Sequence, residues 1–100
     1  VAGGMTIEEP AADMGAVLAV VSSVRNKALP KGLAVFGEVG LSGEIRSVGQ
    51  PLVRIKEAHS LGFETVLLPQ GNLAQLDKKD IPPIHCLGVQ TIRQAIQQFF

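Results

Sequence analysis

Cysteine is nearly absent from this sequence: Cys86 is the single one among 100 residues. One thiol excludes an internal disulfide framework and a zinc site of the CxxC kind, and it points to a reducing compartment, with Cys86 expected as a buried structural thiol. Net charge is absent too. Nine Lys and Arg are balanced by nine Asp and Glu, which excludes nucleic-acid binding by bulk charge and leaves only local basic patches. Long apolar runs are missing: residues 16–21 form the longest, against the roughly 20 needed to span a bilayer. The opening Val1-Ala2-Gly3-Gly4 has neither the basic region nor the apolar stretch of a signal peptide. These absences predict a soluble, cytoplasmic protein with no membrane partner. Neither phosphate-cradling pattern, GxxxxGK before Ser or Thr nor GxGxxG, occurs. There is no initiator Met, and Val1-Ala2-Gly3-Gly4-Met5-Thr6-Ile7 reads as the end of a strand entering a turn. The chain is therefore expected to be a piece of something longer.

What is present is ordinary globular composition, 46% hydrophobic and 18% charged, enough for one small domain. Glu8-Glu9-Pro10 opens a helix over residues 11–26, with acids and proline where a helix N-terminus favours them. Met14, Val17, Leu18, Val21 and Val24 recur at three- and four-residue steps. Ala11, Ala12, Gly15, Ala16 and Ala19 make the other side apolar as well, so this helix is expected to be buried on most sides. A loop over 27–32 leads to a buried strand over 33–36, and the glycine-punctuated stretch 37–48 reads as a hairpin. A second helix spans 51–61, with Leu52, Ile55, Ala58 and His59 on one side and Gly62 as its stop. Strands follow over 65–68, ended by Pro69, and over 84–89, with a short turn capped by Asn72 between them. Thr91 caps a last helix with Ile92, Ala95, Ile96 and Phe99 on its apolar face. The order predicts an α+β domain with α/β-type layers, helices packed on a sheet that is at least partly parallel.

The candidates for chemistry are few. His59 and His85 have no ligand partners at metal spacing, and His85 reads as a hydrogen-bonded core or rim residue. Glu8 and Glu9 read as partners of a helix dipole rather than as an acid/base pair. Of the serines, Ser22 and Ser23 lie late in an apolar helix and are expected to bond back to the preceding turn. Ser42 and Ser47 fall in the hairpin, and Ser60 at an exposed helix end. None stands at a helix start able to hold an oxyanion. The natural place for a nucleophile is Pro10-Ala11-Ala12, and there the chain has alanine.

The strings Ala16-Val17-Leu18-Ala19-Val20-Val21-Ser22-Ser23-Val24-Arg25 and Phe36-Gly37-Glu38-Val39-Gly40-Leu41-Ser42-Gly43-Glu44-Ile45-Arg46-Ser47-Val48, with Glu57-Ala58 and Val66-Leu67-Leu68-Pro69, resemble the proteolytic domain of Lon proteases. They are closer still to the Lon-like C-terminal domain of the RadA (Sms) family of bacterial DNA repair proteins. The resemblance runs over residues 1–100. It implies a Lon proteolytic domain-like fold, that of ribosomal protein S5 domain 2, with the N-terminal portion of the domain missing. Lon peptidases carry a catalytic Ser in a Gly-Pro-Ser-Ala-Gly phrase and a Lys in the next long helix. Laid without gaps through Pro69, the Ser falls on Ala11 and the Lys on Arg54. Alanine has no nucleophile, and arginine, with a pKa above about 12, is no base at neutral pH. Lys56, two residues along the helix, faces nearly the opposite way. Arg54 is expected to fill the dead site by pairing with Asp13 or Glu38.

The resemblance therefore implies a non-catalytic scaffold within a hexameric, DNA-dependent ATPase acting in homologous recombination and branch migration. Such a parent would hold zinc in a four-cysteine finger and ATP with Mg in a RecA-like core, none of it within this chain. It would work on single-stranded or branched DNA beside a recombinase. Two alternatives stand beside that reading: an active Ser-Lys peptidase using a displaced pair, and the Lon-like module of a magnesium-chelatase-like ATPase. The candidate DNA contacts are Arg46, Arg54 and Lys56, with a second cluster at Arg25, Lys27 and Lys31. The apolar first helix is expected to leave a face that self-associates.

Overall fold

A computed structural model describes residues 9–100. The strand-to-turn reading of Val1 to Ile7, its Gly3-Gly4 included, and the role of Glu8 at the helix start lie outside the described residues. Pro10 opens a 3-10 turn, Pro10–Ala12, which runs into α1, Asp13–Arg25. Asn26 closes α1 in the left-handed conformation at φ 51°, its N–H bonded to the carbonyls of Ser22 and Ser23. There follow β1 (Leu33–Val35), β2 (Glu38–Val39), β3 (Ile45–Arg46), α2 (Pro51–Ser60), β4 (Thr65–Pro69), α3 (Gln70–Gln75), a 3-10 turn (Lys78–Asp80), β5 (His85–Val89) and α4 (Ile92–Phe99).

β1, β4 and β5 form a parallel sheet in the order β1-β4-β5, with Leu33 opposite Thr65 and Thr65 opposite His85. β4 lies at its centre, with Val66, Leu67, Leu68 and Pro69 all buried. Because side chains alternate along a strand, Val66 and Leu68 face one layer and Leu67 the other. Val66 and Leu68 pack with Phe36 and with Ile55 and Ala58 of α2, and Leu73 of α3 covers the same side. Leu67 packs with Met14 and Leu18 of α1, Val89, and Ala95 of α4. The result is three layers, α2 and α3 over one face and α1 and α4 over the other, as the mixed helix-and-strand order predicts.

β2 and β3 form the expected antiparallel hairpin, with Val39 opposite Ile45. The amide of Ile45 donates to the carbonyl of Gln90 at 2.8 Å, and that of Ile92 to Gly43 at 2.8 Å, so the hairpin is stitched to the far end of β5. Gly37 joins β1, the hairpin and α1. It donates to the carbonyl of Ala11 at 2.8 Å and accepts from the amide of Met14 at 3.0 Å. Its φ of 154°, with a Cβ position only 2.9 Å from Met14 Cε, leaves room for glycine alone.

Four expectations about the elements need correction. The buried strand expected over 33–36 is Leu33–Val35 and only partly buried, because β1 is an edge of the sheet. α1 is not buried on most sides: Met14 and Leu18 are fully buried, whereas Val20 is 62% and Val24 79% exposed. A three-stranded sheet offers one face to the helix, and only the Met14–Leu18 stripe reaches it. His59 does not share the inward side of α2 but is exposed, because Ile55 and Ala58 take the buried stripe and the next residue turns about 100° away. The short turn capped by Asn72 is instead the helix Gln70–Gln75, with Asn72 inside it and buried. Thr91 caps α4 as expected: its hydroxyl accepts from the Gln94 amide at 3.1 Å while Gln94 Oε1 accepts from the Thr91 amide at 3.3 Å. Among the described residues no helix is long and apolar enough to cross a membrane.

Candidate functional site

Ala11 and Arg54 come together. The 3-10 turn before α1 and the first turns of α2 wall one cavity of about 230 Å³, lined by Glu9, Pro10, Ala11, Glu38, Ser47 and Arg54. Ala11 is 5% exposed and offers a methyl group. Arg54 is held from two directions. Its Nη1 donates to Glu9 Oε1 at 2.7 Å, its Nε to the carbonyl of Gly49 at 2.9 Å, and its guanidinium carbon lies 5.9 Å from the centre of the Phe36 ring. A planar fork suits this division of labour, two bonds in different directions and an aromatic face beneath. The expected pairing with Asp13 or Glu38 is corrected to Glu9. Asp13 Oδ2 accepts from the Val39 amide at 3.2 Å and so ties α1 to the hairpin. Glu38 lies 3.7 Å from Arg46.

The wall of this cavity is set by a residue whose role the sequence does not announce. Asn72, 3% exposed, accepts from the amide of Val48 at 2.9 Å through Oδ1 and donates to the carbonyl of Val48 at 3.0 Å through Nδ2. The carboxamide copies the pairing of a neighbouring strand, and it fixes residues 47–49, which carry Ser47 and the carbonyl that holds Arg54. The available signal is a polar residue just past the apolar strand end at Pro69. Burial, which turns it into a clasp, depends on the packing of α3 against β5.

Ser47 is the serine at the cavity, and no lysine lines it. Ser22 does not bond back to the preceding turn: its Oγ donates forward to the carbonyl of Lys27 at 2.6 Å, where α1 has ended and left that carbonyl available. Cys86 is half-buried, its Sγ 3.7 Å from the carbonyl of Ile84, and burial pushes the thiol pKa up. His85 is exposed at the sheet rim. Among the described residues no three His, Cys, Asp or Glu side chains gather as a metal site. With one cysteine in the chain and no glycine-rich phosphate loop, the residues do not fit the zinc finger or the nucleotide site that the resemblance implies for its parent.

The basic candidates divide. Arg46 is committed to its own hairpin, its Nε and Nη2 donating to Glu44 Oε2 at 3.0 and 2.9 Å. The amide of Glu44 itself, then Arg46, and the amide of Ser42 hold the Glu44 carboxyl below the usual carboxylate range. Lys56 stands exposed on the outer side of α2. Lys27 and Lys31 are exposed in the loop after α1, and Arg25 lies 5.9 Å from the Phe100 ring. Among the described residues none of these last four is within ion-pair distance of a carboxylate. Arg54 and Arg25 stand apart, near opposite ends of α1, a 13-residue helix that is about 20 Å long.

The parallel sheet between helix layers thus frames a cavity between the helix start at Ala11 and Arg54 of α2. The Lon protease (S16) C-terminal proteolytic domain matches residues 1–97, and the chain belongs to that family. Within it, the chain is similar to proteins named DNA repair protein RadA. It is 45% identical over 97 residues to the protein of Chlamydia trachomatis, covering 97% of this chain and 21% of that one. It is 46% identical over 100 residues to that of Aquifex aeolicus, covering 100% and 21%. It is 41% identical over 99 residues to that of Escherichia coli, covering 99% and 21%. The chain thus spans about a fifth of the length of these relatives.

Asn72→Ala removes both bonds to Val48 and strands two backbone groups, so it is expected to destabilise the fold by about 2–4 kcal/mol. Urea unfolding measures this, and a loss below about 0.5 kcal/mol would contradict the clasp.

Proposed function

We propose that this chain is a non-catalytic Lon-like scaffold domain of a RadA-type DNA repair protein, acting in homologous recombination and branch migration. The observation that carries the reading is the pair Ala11 and Arg54 in one cavity, the first without a nucleophile and the second held by Glu9, Gly49 and Phe36. A peptidase of this kind needs a serine hydroxyl and a lysine desolvated beside it to take its proton. Ser47 has neither lysine nor histidine in that cavity. The names of the relatives support the DNA repair setting. In this reading residues 1–100 belong to one Lon-like domain. ATP, Mg and zinc belong elsewhere in the full-length protein, which forms a cytoplasmic hexameric ring on single-stranded or branched DNA with a recombinase as partner. The exposed apolar side of α1, with Val20 and Val24, is available for self-association.

Hydrolysis tests the scaffold directly. The full-length protein is expected to leave fluorescent casein uncleaved at any pH from 6 to 9. Turnover that Ser47→Ala abolishes would overturn the reading in favour of a displaced active site.

Within this reading the domain's DNA contacts fall to Lys27 and Lys31, with Arg25 and Lys56 as further candidates, rather than to Arg46 or Arg54, whose charges are answered locally. Taking away one lysine–phosphate pair lowers the slope of log affinity against log salt by about one. Lys27→Ala and Lys31→Ala in the full-length protein are each expected to do so, and Arg46→Ala to leave the slope unchanged. Parental slopes for both lysine variants would remove this cluster from the DNA path.

A further inference from the structure

β5 is an edge of the sheet, and its free side has the makings of a binding surface. The amide of His85 donates to the carbonyl of Glu64 at 3.0 Å, and β5 runs parallel to β4. In a parallel ladder alternate residues turn both main-chain polar groups to the same neighbour. His85, Leu87 and Val89 therefore bond to β4, while Cys86 and Gly88 turn N–H and C=O outward. Among the described residues no turn, loop or strand answers these four groups.

The open edge floors a trough. At one end lies an apolar cavity of about 600 Å³ that includes Leu76, Ile81, Pro82, Ile84 and Cys86, with exposed Lys78 beside it. At the other, about 680 Å³ is walled by Gln70, Gln90, Gln94, Gln97 and Gln98 around Gly88. Gln70 belongs to both ends and lies across Gly88, where a Cβ would run into its carboxamide. Among the described residues no carboxylate lines the trough, and Lys78 is its single cation.

We propose that the β5 edge binds an extended polypeptide segment of a partner protein. The segment adds a strand beside Cys86 and Gly88, seats an apolar side chain against Ile81 and Pro82, and sets an acidic residue at Lys78. Outward N–H and C=O groups at alternate residues match the repeat of a peptide main chain. The glutamine carboxamides offer donors, and all but Gln94, whose Oε1 accepts from the Gln90 and Thr91 amides, an acceptor to a peptide main chain without adding charge. A nucleic-acid strand would need cations along its path, and the glutamine end has none. Two copies paired about a two-fold axis would run antiparallel and lay the glutamine end of one trough on the apolar end of the other. The surface shares no lining residue with the cavity at Ala11 and Arg54, so it stands whether or not that cavity is silent.

The test selects random displayed heptapeptides on the full-length protein and measures the enriched peptides by fluorescence anisotropy. Enriched sequences are expected to pair an apolar residue with a neighbouring Asp or Glu. Lys78→Glu should weaken them roughly tenfold, Gly88→Pro should abolish binding by removing an outward amide, and bound peptide should slow hydrogen exchange at the Cys86 and Gly88 amides. Lys78 is exposed, so Lys78→Glu and the exchange experiment decide the matter even if Gly88→Pro does not fold. Failure to enrich any peptide over scrambled controls would overturn the proposal. So would binding indifferent to Lys78→Glu, protection confined to other strands, displacement of the peptide by a thymidine oligonucleotide, or a change of oligomeric state in Lys78→Glu that accounts for the effect.

Discussion

Burial of β4 on both faces is the constraint from which the rest of the domain follows. Val66, Leu67 and Leu68 are fully buried, and a strand in that position needs a neighbour on each edge and a helix layer on each face. β1 and β5 supply the edges; α2 with α3 and α1 with α4 supply the layers. The crossovers then have little freedom. α2 must leave the hairpin and return to the start of β4, and this route carries Arg54 past the turn that opens α1. α3 must double back at once from Pro69, and this carries Asn72 beneath Val48. The cavity is thus a by-product of how the chain enters and leaves the central strand.

Structural ties occupy that cavity. A cavity framed by the start of one helix and the side of another suits a nucleophile and a base, and here it holds a methyl group and a guanidinium. Arginine does in this place what lysine cannot. It bonds Glu9 and the Gly49 carbonyl in two directions while lying over Phe36, so it joins the α1 entry, the loop before α2 and the end of β1. Asp13 and Gly37 add two further ties between α1 and the hairpin. Glu9, Asp13, Gly37 and Arg54 therefore hold this region together.

Much of this was legible in the sequence, because local rules and tertiary demands agree there. The apolar run ending at Pro69 gave β4, the threonine before an amphipathic stretch gave the cap of α4, and strands alternating with helices gave the parallel sheet. Ala11 and Arg54 were legible as positions. Their meeting around one cavity, and the partner of Arg54, were not: Glu9 lies 45 residues away in the chain, and Asp13 and Glu38 offer the same carboxylate. What decided among them was the backbone, which employs Asp13 at the hairpin and leaves Glu38 to Arg46. Periodicity overstated the burial of α1, since a pattern reports which side chains are apolar and not how much sheet is available to cover them. It said nothing of Asn72, whose role exists only once α3 is folded back.

Arg54, by its bonds to Glu9 and the Gly49 carbonyl and its place over Phe36, serves stability. Equilibrium urea unfolding of Arg54→Lys tests that claim most directly. Lysine keeps the charge but can satisfy Glu9 or Gly49, not both, and has no planar face for Phe36. With a third of the Arg54 side chain exposed, the expected loss is about 1 kcal/mol with an unchanged denaturant slope. An Arg54→Lys protein as stable as the parent, or more so, would contradict it.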